Sequence, residues 1–299
     1  MIKHLRHKEI DRQKWDNSVA QSINRNICAL SWWLDYVSPG WECLVENDYE
    51  SVMPLTWKRK YGVSYVFHPY FTKPLGVFSR HEISEETVKN FLSAIPSRFK
   101  LVEINLNPKN VLANNKYEIK VNHTYVIDMN QSYNELSAHY STNLERNLKQ
   151  ASKSQLTIKK NTAPADIIRL FRENKGKELK NLKDKDYRML SGLINICKER
   201  NLVQSWGAYT FGEELCAGVI FVESEKEIMF FFSSTNALAR KTGAMSMLID
   251  TYFREHSGIN KTFNFCGSNE LNLARFYQSF GAQQENYFSF KRNNLPFLN

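Results

Sequence analysis

The sequence predicts an α/β fold built from two tandem copies of one mixed-sheet unit, and three observations carry that prediction. Residues Cys43 to Trp57 read as a β-hairpin with a polar turn, and residues Ala208 to Val222 read the same way. In each copy a third apolar strand, a glycine at a turn, a helical stretch, a further strand and a late strand follow in the same order. The matching segments stay about 160 to 167 residues apart along the chain.

Taken in order, the third strands are Val63 to Phe67 and Glu227 to Phe232, rich in the β-branched and aromatic residues that suit a pleated surface. Gly76 and Gly243 mark the turns, and the helical stretches run from Glu85 to Phe99 and from Ala244 to Ser257. The next strands are Leu101 to Leu106 and Thr262 to Cys266; the late strands are Thr124 to Ile127 and Tyr287 to Phe290. Each copy is expected to form its own mixed sheet flanked by helices. The division falls at 1–140 and 141–299.

Composition bounds the function classes. A chain of 299 residues with 42% hydrophobic and 13% aromatic content can bury one or two substantial cores, and 24% charged residues is ordinary for a globular protein. No run approaches the roughly 20 apolar residues that span a bilayer. The start, Met1-Ile-Lys-His-Leu-Arg-His-Lys-Glu9, carries charge where a signal peptide has an apolar core, so a cytoplasmic location is expected. The five cysteines, Cys28, Cys43, Cys197, Cys216 and Cys266, are odd in number and form no C-x-x-C pair, which fits reduced thiols. The seven histidines show no H-E-x-x-H or H-x-E spacing, so no protein-bound metal is expected. Cys266, on the predicted strand, reads as a small core residue before it reads as a nucleophile.

Charge is concentrated. Between Ser141 and Arg200 there are 15 Lys and Arg against 7 Asp and Glu, a balance of +8 out of the chain's +9. The patterns Ser132-Tyr-Asn-Glu135 and Thr142-Asn-Leu-Glu145 predict two helix starts, because each can satisfy free backbone N–H groups reciprocally. On the second helix Leu144, Leu148 and Ala151 share an apolar face, and Arg146, Lys149 and Lys153 form a basic stripe. That stripe is either a solvated helix face or a surface for phosphate, from a nucleotide, a CoA pyrophosphate or an RNA end. Lys175 to Arg188, interrupted by Asp184 and Asp186, reads as an exposed helix and loop.

The second copy carries the chemical signal. The strand Glu227 to Phe232 is followed by Ser233-Ser-Thr-Asn-Ala-Leu-Ala-Arg240-Lys241-Thr242-Gly243-Ala244 and then an amphipathic helix. A small-residue loop before a helix presents backbone N–H groups and the positive end of the helix dipole, which suits a pyrophosphate. Arg240-x-x-Gly243 resembles the Q/R-x-x-G-x-G/A loop of the GNAT acyltransferases, with Met245 where that family has a small residue. Downstream, Thr262 to Ser268 reads as a strand ending in a turn, and Asn269 to Gly281 as a helix with a glycine cap. The Tyr277-x-x-x-Gly281 spacing resembles the GNAT ending, whose helical tyrosine protonates the leaving thiolate. The resemblance gives that role to Tyr277.

With two such units the chain is similar to the FemAB-like branch, whose members pair two GNAT-type lobes. Tyr140-Ser-Thr-Asn143-Leu-Glu-Arg146-Asn147-Leu-Lys149-Gln-Ala151 resembles that branch's S-x-N-x-R-R/N-x-x-K-A helix. Phe67-His-Pro-Tyr-Phe-Thr-Lys-Pro-Leu-Gly76 resembles its first-lobe strand and glycine turn. No insertion is long enough for the coiled-coil arm of some members. The resemblance implies transfer of an acyl or aminoacyl group to an amine, from acyl-CoA or aminoacyl-tRNA as donor substrate, with no permanently bound cofactor. The acceptor it implies is a small molecule or a cell-envelope precursor, with tRNA as a further partner. The first lobe would be the acceptor side and the second the donor side. Donor contacts fall on Ser233, Ser234, Arg240, Lys241, Thr242, Gly243 and Ala244; phosphate or acceptor contacts fall on Arg146, Lys149, Trp32 and Trp33. Trp32, Trp33 and Asp35 read equally as a core cluster. The rival function is a non-catalytic ligand- or RNA-binding protein that keeps the fold. An RNA module is disfavoured because no RRM, KH or zinc-knuckle pattern occurs.

Overall fold

The computed structural model describes residues 1–112, 118–179, 181–267 and 269–295. Contacts divide the chain into two compact units, Met1–His123 with Asn286–Asn299, and Thr124–Glu285. In chain order the elements are β1 (Ile2–Leu5), α1 (Arg12–Gln21), α2 (Ser31–Val37), β2 (Glu42–Glu46), β3 (Ser51–Leu55), β4 (Trp57–Lys60), β5 (Val63–Val66), β6 (Phe78–Ser79), α3 (Glu85–Ser93), β7 (Phe99–Leu106) and β8 (Glu118–Asp128). There follow α4 (Tyr133–Ala138), α5 (Thr142–Ser152), β9 (Thr157–Lys160), α6 (Pro164–Glu173), α7 (Asp184–Glu199), β10 (Val203–Tyr209), β11 (Leu215–Glu223), β12 (Glu227–Thr235), α8 (Ala237–Thr242), α9 (Ala244–His256), β13 (Thr262–Asn264), α10 (Leu271–Gln278) and β14 (Gln283–Asn293). The α/β class holds. Among the described residues no helix is long and apolar enough to cross a membrane.

In the first unit the predicted hairpin is β2 with β3, but it does not share a sheet with the third strand. Strands β1, β2, β3 and β6 form one sheet, and β4, β5, β7 and β14 lie side by side in another. The chain changes sheets at Thr56, whose hydroxyl donates to the Phe67 carbonyl. Two clusters fill this unit. One is built on Phe91, Phe99, Val102 and Phe290, and the other on Trp15, Trp41, Val52 and Phe78. Helix α3 stops at Ser93, short of the predicted Phe99, because Pro96 disfavours helical backbone at the residue before it.

In the second unit β10, β11 and β12 run antiparallel in one sheet, β9 pairs with β10, and β13 joins β12 in parallel. The core packs Trp206, Phe221, Phe230, Phe253, Phe263 and Phe265 under α9 and α10. Helix α5 starts one residue earlier than the spacing predicts, since the Ser141 hydroxyl, not that of Thr142, accepts from the Leu144 N–H at 3.2 Å. Ser132 and Glu135 form the predicted reciprocal cap on α4. Its neighbour Tyr133 and Tyr140 both donate to the buried Asp250 carboxylate on α9, at 2.8 and 3.0 Å. Burial, with Asp250 beside it, pushes the Tyr133 phenol up to about 12.

The late strands are exchanged between copies. Val126–Asp128, predicted as part of the first copy, pair antiparallel with β13 of the second unit. Phe288–Asn293 pair antiparallel with β7 in the first unit. A strand edge needs N–H and C=O partners, and either late strand has the pattern to supply them.

Gly76 shows how tightly the first unit is closed. Its backbone is left-handed (φ +93°), and a Cβ there would lie 2.3 Å from Asn110 Oδ1. That oxygen accepts from the Val77 N–H at 2.6 Å, so it cannot yield without losing a buried hydrogen bond. Gly76→Ala is expected to cost at least about 2 kcal/mol in urea unfolding, from strain and the displaced bond together.

Candidate functional site

The second unit has a gap in its sheet. Strand β12 pairs with β13 only over Glu227–Met229, against Thr262–Asn264, and then runs on to Thr235. Past that point the other side of the gap follows a different partner, with the Phe265 N–H donating to the Tyr125 carbonyl of β8. Asn264 fixes the parting. Its Oδ1 accepts from Thr124 Oγ1 and from the Cys266 N–H, both at 2.8 Å, and its Nδ2 donates to Glu227 Oε1 at 2.9 Å. Cys266 and Gly267 then turn left-handed, φ +60° and +88°. Cys266 is therefore on a turn beyond β13 and half-buried, rather than on the predicted strand. Ser268 lies outside the described residues.

Tyr277 sits over this parting. Its ring stacks on Phe265 at 4.3 Å and 21°, and meets Phe230 edge-on at 6.3 Å. Phe230 and Phe265 are the first residues on the two sides of the gap. Helix α10 places Tyr277 there because Ala274 and Tyr277, three apart, turn to the core together. The residue is 6% exposed, and burial, with Cys266 and Glu270 in electrostatic reach, raises its phenol well above the ordinary value. Such a phenol keeps its proton at neutral pH.

On the β12 side the register with β11 slips, Ile220 facing Phe232 and Phe221 facing Phe230, so Phe231 is the extra residue of a bulge. Among the described residues no strand pairs with β12 on its β13 side beyond Met229. The two candidate serines then diverge. Ser233 lies across from Val219, a residue of the core under α9, whereas Ser234 lies across from Gly218, whose missing Cβ would strike Ile167 of α6. Ser233 and Ser234 therefore serve opposite faces of the sheet. Ser234 is buried and its hydroxyl has no partner.

The predicted phosphate loop is a helix. Arg240, Lys241 and Thr242 form the last turn of α8, whose Asn236 cap accepts from the Ala239 N–H. Gly243 (φ +74°) is the junction to α9, and a Cβ there would lie 2.6 Å from the Asn147 carbonyl of α5. Ala244 is fully buried. The small-residue requirement thus comes from close packing of α5 on the junction. Arg240 and Lys241 are exposed, as are Arg146, Lys149 and Lys153 on α5, so the basic stripe faces solvent. Arg240 also lies in electrostatic reach of Lys175, which is paired with Glu178 at 2.8 Å and raised by that carboxylate.

Trp32 and Trp33 belong to the first unit, on α2, with rings 5.5 Å apart. Trp33 is fully buried and donates through Nε1 to Thr72 Oγ1 at 3.3 Å, a core role, while Trp32 is half-buried. Asp35 accepts from Trp41 Nε1 at 2.9 Å and pairs with Arg12. The turn with Thr72 holds His68, which lies in the Phe67–Gly76 resemblance without a role there, and whose Nε2 bonds the Thr72 carbonyl at 2.9 Å. Burial pushes His68 down to about 4.

The structure is similar to three solved proteins of low sequence identity. FemX matches with a TM-score of 0.64 at 10% identity, over 96% of each chain. A domain named as the C-terminal part of a lysylphosphatidylglycerol synthetase of Agrobacterium fabrum matches with a TM-score of 0.55 at 12% identity, over 94% of this chain and 91% of that one. A GCN5-related glucosamine N-acetyltransferase region of a fungal multi-domain β-N-acetylglucosaminidase matches at 0.50 and 8% identity, over 98% of this chain and 38% of that one. The sequence matches no protein-family model and no curated protein. The fold is the FemAB-like, GNAT-type fold that the motifs suggested.

Two measurements follow. Ser234→Ala removes a buried hydroxyl that bonds nothing, so urea unfolding should show stability unchanged or raised by up to about 1 kcal/mol. A serine satisfied by the fold would instead lose stability. For His68 the folded value lies below the ordinary 6.5, so the unfolded chain binds more protons between those values. Stability is expected to fall as pH drops from about 6.5 to about 4, with up to one more proton taken up on unfolding than in His68→Gln, read by calorimetry across that range.

Proposed function

We propose that the chain is an N-acyltransferase or aminoacyltransferase that moves an acyl or aminoacyl group onto an amine. The observation that supports this reading most is Tyr277 lying over the point where β12 and β13 part. In it, the amine nitrogen attacks the carbonyl of a thioester or ester seated in the gap. Backbone N–H groups of β12 past Met229 stabilise the oxyanion. Collapse of the tetrahedral intermediate breaks the carbon–sulfur or carbon–oxygen bond. The leaving thiolate or ribose oxygen takes the Tyr277 proton, and the proton released by the amine restores the phenol.

The donor is acyl-CoA or aminoacyl-tRNA, and its phosphates are assigned to Arg146 and Lys149 on α5 and Arg240 and Lys241 on α8. Cations on neighbouring helices suit phosphate without demanding one donor. The acceptor is an amine on a small molecule or a cell-envelope precursor. The close packing of Tyr277 favours one rival, a ligand- or RNA-binding protein of the same fold, because a phenol fully committed to the core would donate no proton.

Tyr277→Phe separates the two. It keeps the ring stack and removes only the hydroxyl. With acyl-CoA esters and aminoacylated tRNA as donors, and amines as acceptors, turnover is expected to fall by roughly a hundredfold to ten-thousandfold at nearly constant donor affinity. Wild-type turnover in the variant would remove Tyr277 from the chemistry, and no transfer by either protein would favour the binder.

A further inference from the structure

A stretch of one-signed charge lies outside the candidate site. From Ser51 to His81 the sequence has five Lys or Arg and no Asp or Glu. Three of the five, Lys58, Arg59 and Lys60, are consecutive and exposed on β4, which among the described residues ends its sheet. Trp57, Tyr61, Tyr65 and Phe67 interleave with them.

Strands β4 and β5 form a hairpin whose register sorts these residues by face. Trp57 lies across from Val66, and both belong to the core built on Phe91 and Phe99. One residue on, the pleat turns the other way, with Lys58 across from Tyr65 and Lys60 across from Val63. This outer face is a run of rings and ammonium groups. Lys58 Nζ lies 4.1 Å from the Phe67 ring centroid, Tyr65 meets Phe67 edge-on at 6.1 Å, and Lys60 Nζ lies 5.1 Å from the Tyr61 centroid. Arg59 reaches the tip as well, its Nε donating to the Gly62 carbonyl at 3.4 Å.

The residue at that tip is costly where it stands. Lys60 and Val63 are paired, so Tyr61 and Gly62 are the two residues of the turn, both left-handed at φ +49° and +78°. Such a turn takes Asn or Asp before Gly at least cost, whereas a bulky side chain in left-handed backbone is strained. Tyr61 is 90% exposed, so burial does not offset the strain. Lysines on an edge strand guard it against pairing with another chain, but that duty asks nothing of a tyrosine.

We propose that the outer face of the β4–β5 hairpin binds single-stranded RNA, with a base stacked on Tyr61 and the adjoining phosphates held by Arg59 and Lys60. Unpaired bases present flat faces that stack on aromatic rings, and cations grouped around the ring meet the backbone that carries them. An acidic peptide would use the cations and leave the rings without a partner. Paired RNA keeps its bases in its own stack and offers none to Tyr61. The hairpin belongs to the first unit, whereas the cations assigned to donor phosphates belong to the second, and binding here requires no transfer activity.

The test is fluorescence anisotropy of the full chain with a labelled oligouridylate of about twelve nucleotides. Tyr61→Asn is expected to weaken binding by roughly tenfold or more, the worth of one stacked base, while Tyr61→Phe keeps the ring and binds as the wild type. The melting temperature of Tyr61→Asn should stay level or rise, because Asn suits the turn. Arg59→Gln with Lys60→Gln is expected to flatten the slope of log affinity against log salt by roughly 1.4, two phosphate contacts at about 0.7 each. Unchanged affinity in Tyr61→Asn would take the ring out of the interface, and an unchanged salt slope would place the RNA on other cations; either overturns the proposal. Polyglutamate binding as tightly would overturn it in favour of an acidic polypeptide, and a duplex of the same length binding as tightly in favour of plain charge attraction. No binding of the oligouridylate by the wild type would end it, with the transfer reading untouched.

Discussion

Everything at the candidate site depends on three hydrogen bonds made by Asn264. One side-chain amide ties β13 to β12 through Glu227, to β8 through Thr124, and to the following turn through the Cys266 N–H. The first two hold the strand in register; the third bends it away. Without the bend β13 would continue alongside β12, and the backbone groups that now line a gap would be consumed in a ladder. A buried amide with both ends satisfied is rigid, which is what a site needs when its catalytic power comes from fixed dipoles.

The aromatic stack over the gap reconciles two demands that usually conflict. Tyr277 packs between Phe265 and Phe230 as tightly as a core residue, so its ring position is determined by the hydrophobic cluster and not by a flexible side chain. Its hydroxyl inherits that precision. The same burial that fixes the ring raises the phenol and keeps it protonated at neutral pH.

Much of this was legible in the residues. The hairpins, the helix from Ala244 and the Tyr277-x-x-x-Gly281 spacing are local, set by period and turn chemistry, and they survive in the structure nearly unchanged. Three features were not legible, because neither residue type nor period marks them. The helical state of Arg240–Thr242 follows from an Asn236 cap that reads equally well as loop. The divergence of Ser233 and Ser234 follows from pleating, which the preceding run Phe230-Phe231-Phe232, apolar on both faces, does not reveal. His68 lies in the Phe67–Gly76 resemblance, which assigns it no role, and its character comes from Thr72 across a turn.

The exchange of late strands bears on how such a chain comes to be folded during synthesis. The second unit, Thr124–Glu285, is one continuous stretch, but the first is closed only by residues that emerge after it. Phe290 is fully buried in the first unit's core, and β14 covers the edge of β7. On the ribosome, therefore, the segment made first waits with an open sheet edge and an unfilled core until residues beyond the second unit appear. The later segment can finish before it. Vectorial folding from the amino end, the ordinary order for tandem domains, is reversed here by Phe288–Asn293, the stretch of strand that pairs with β7.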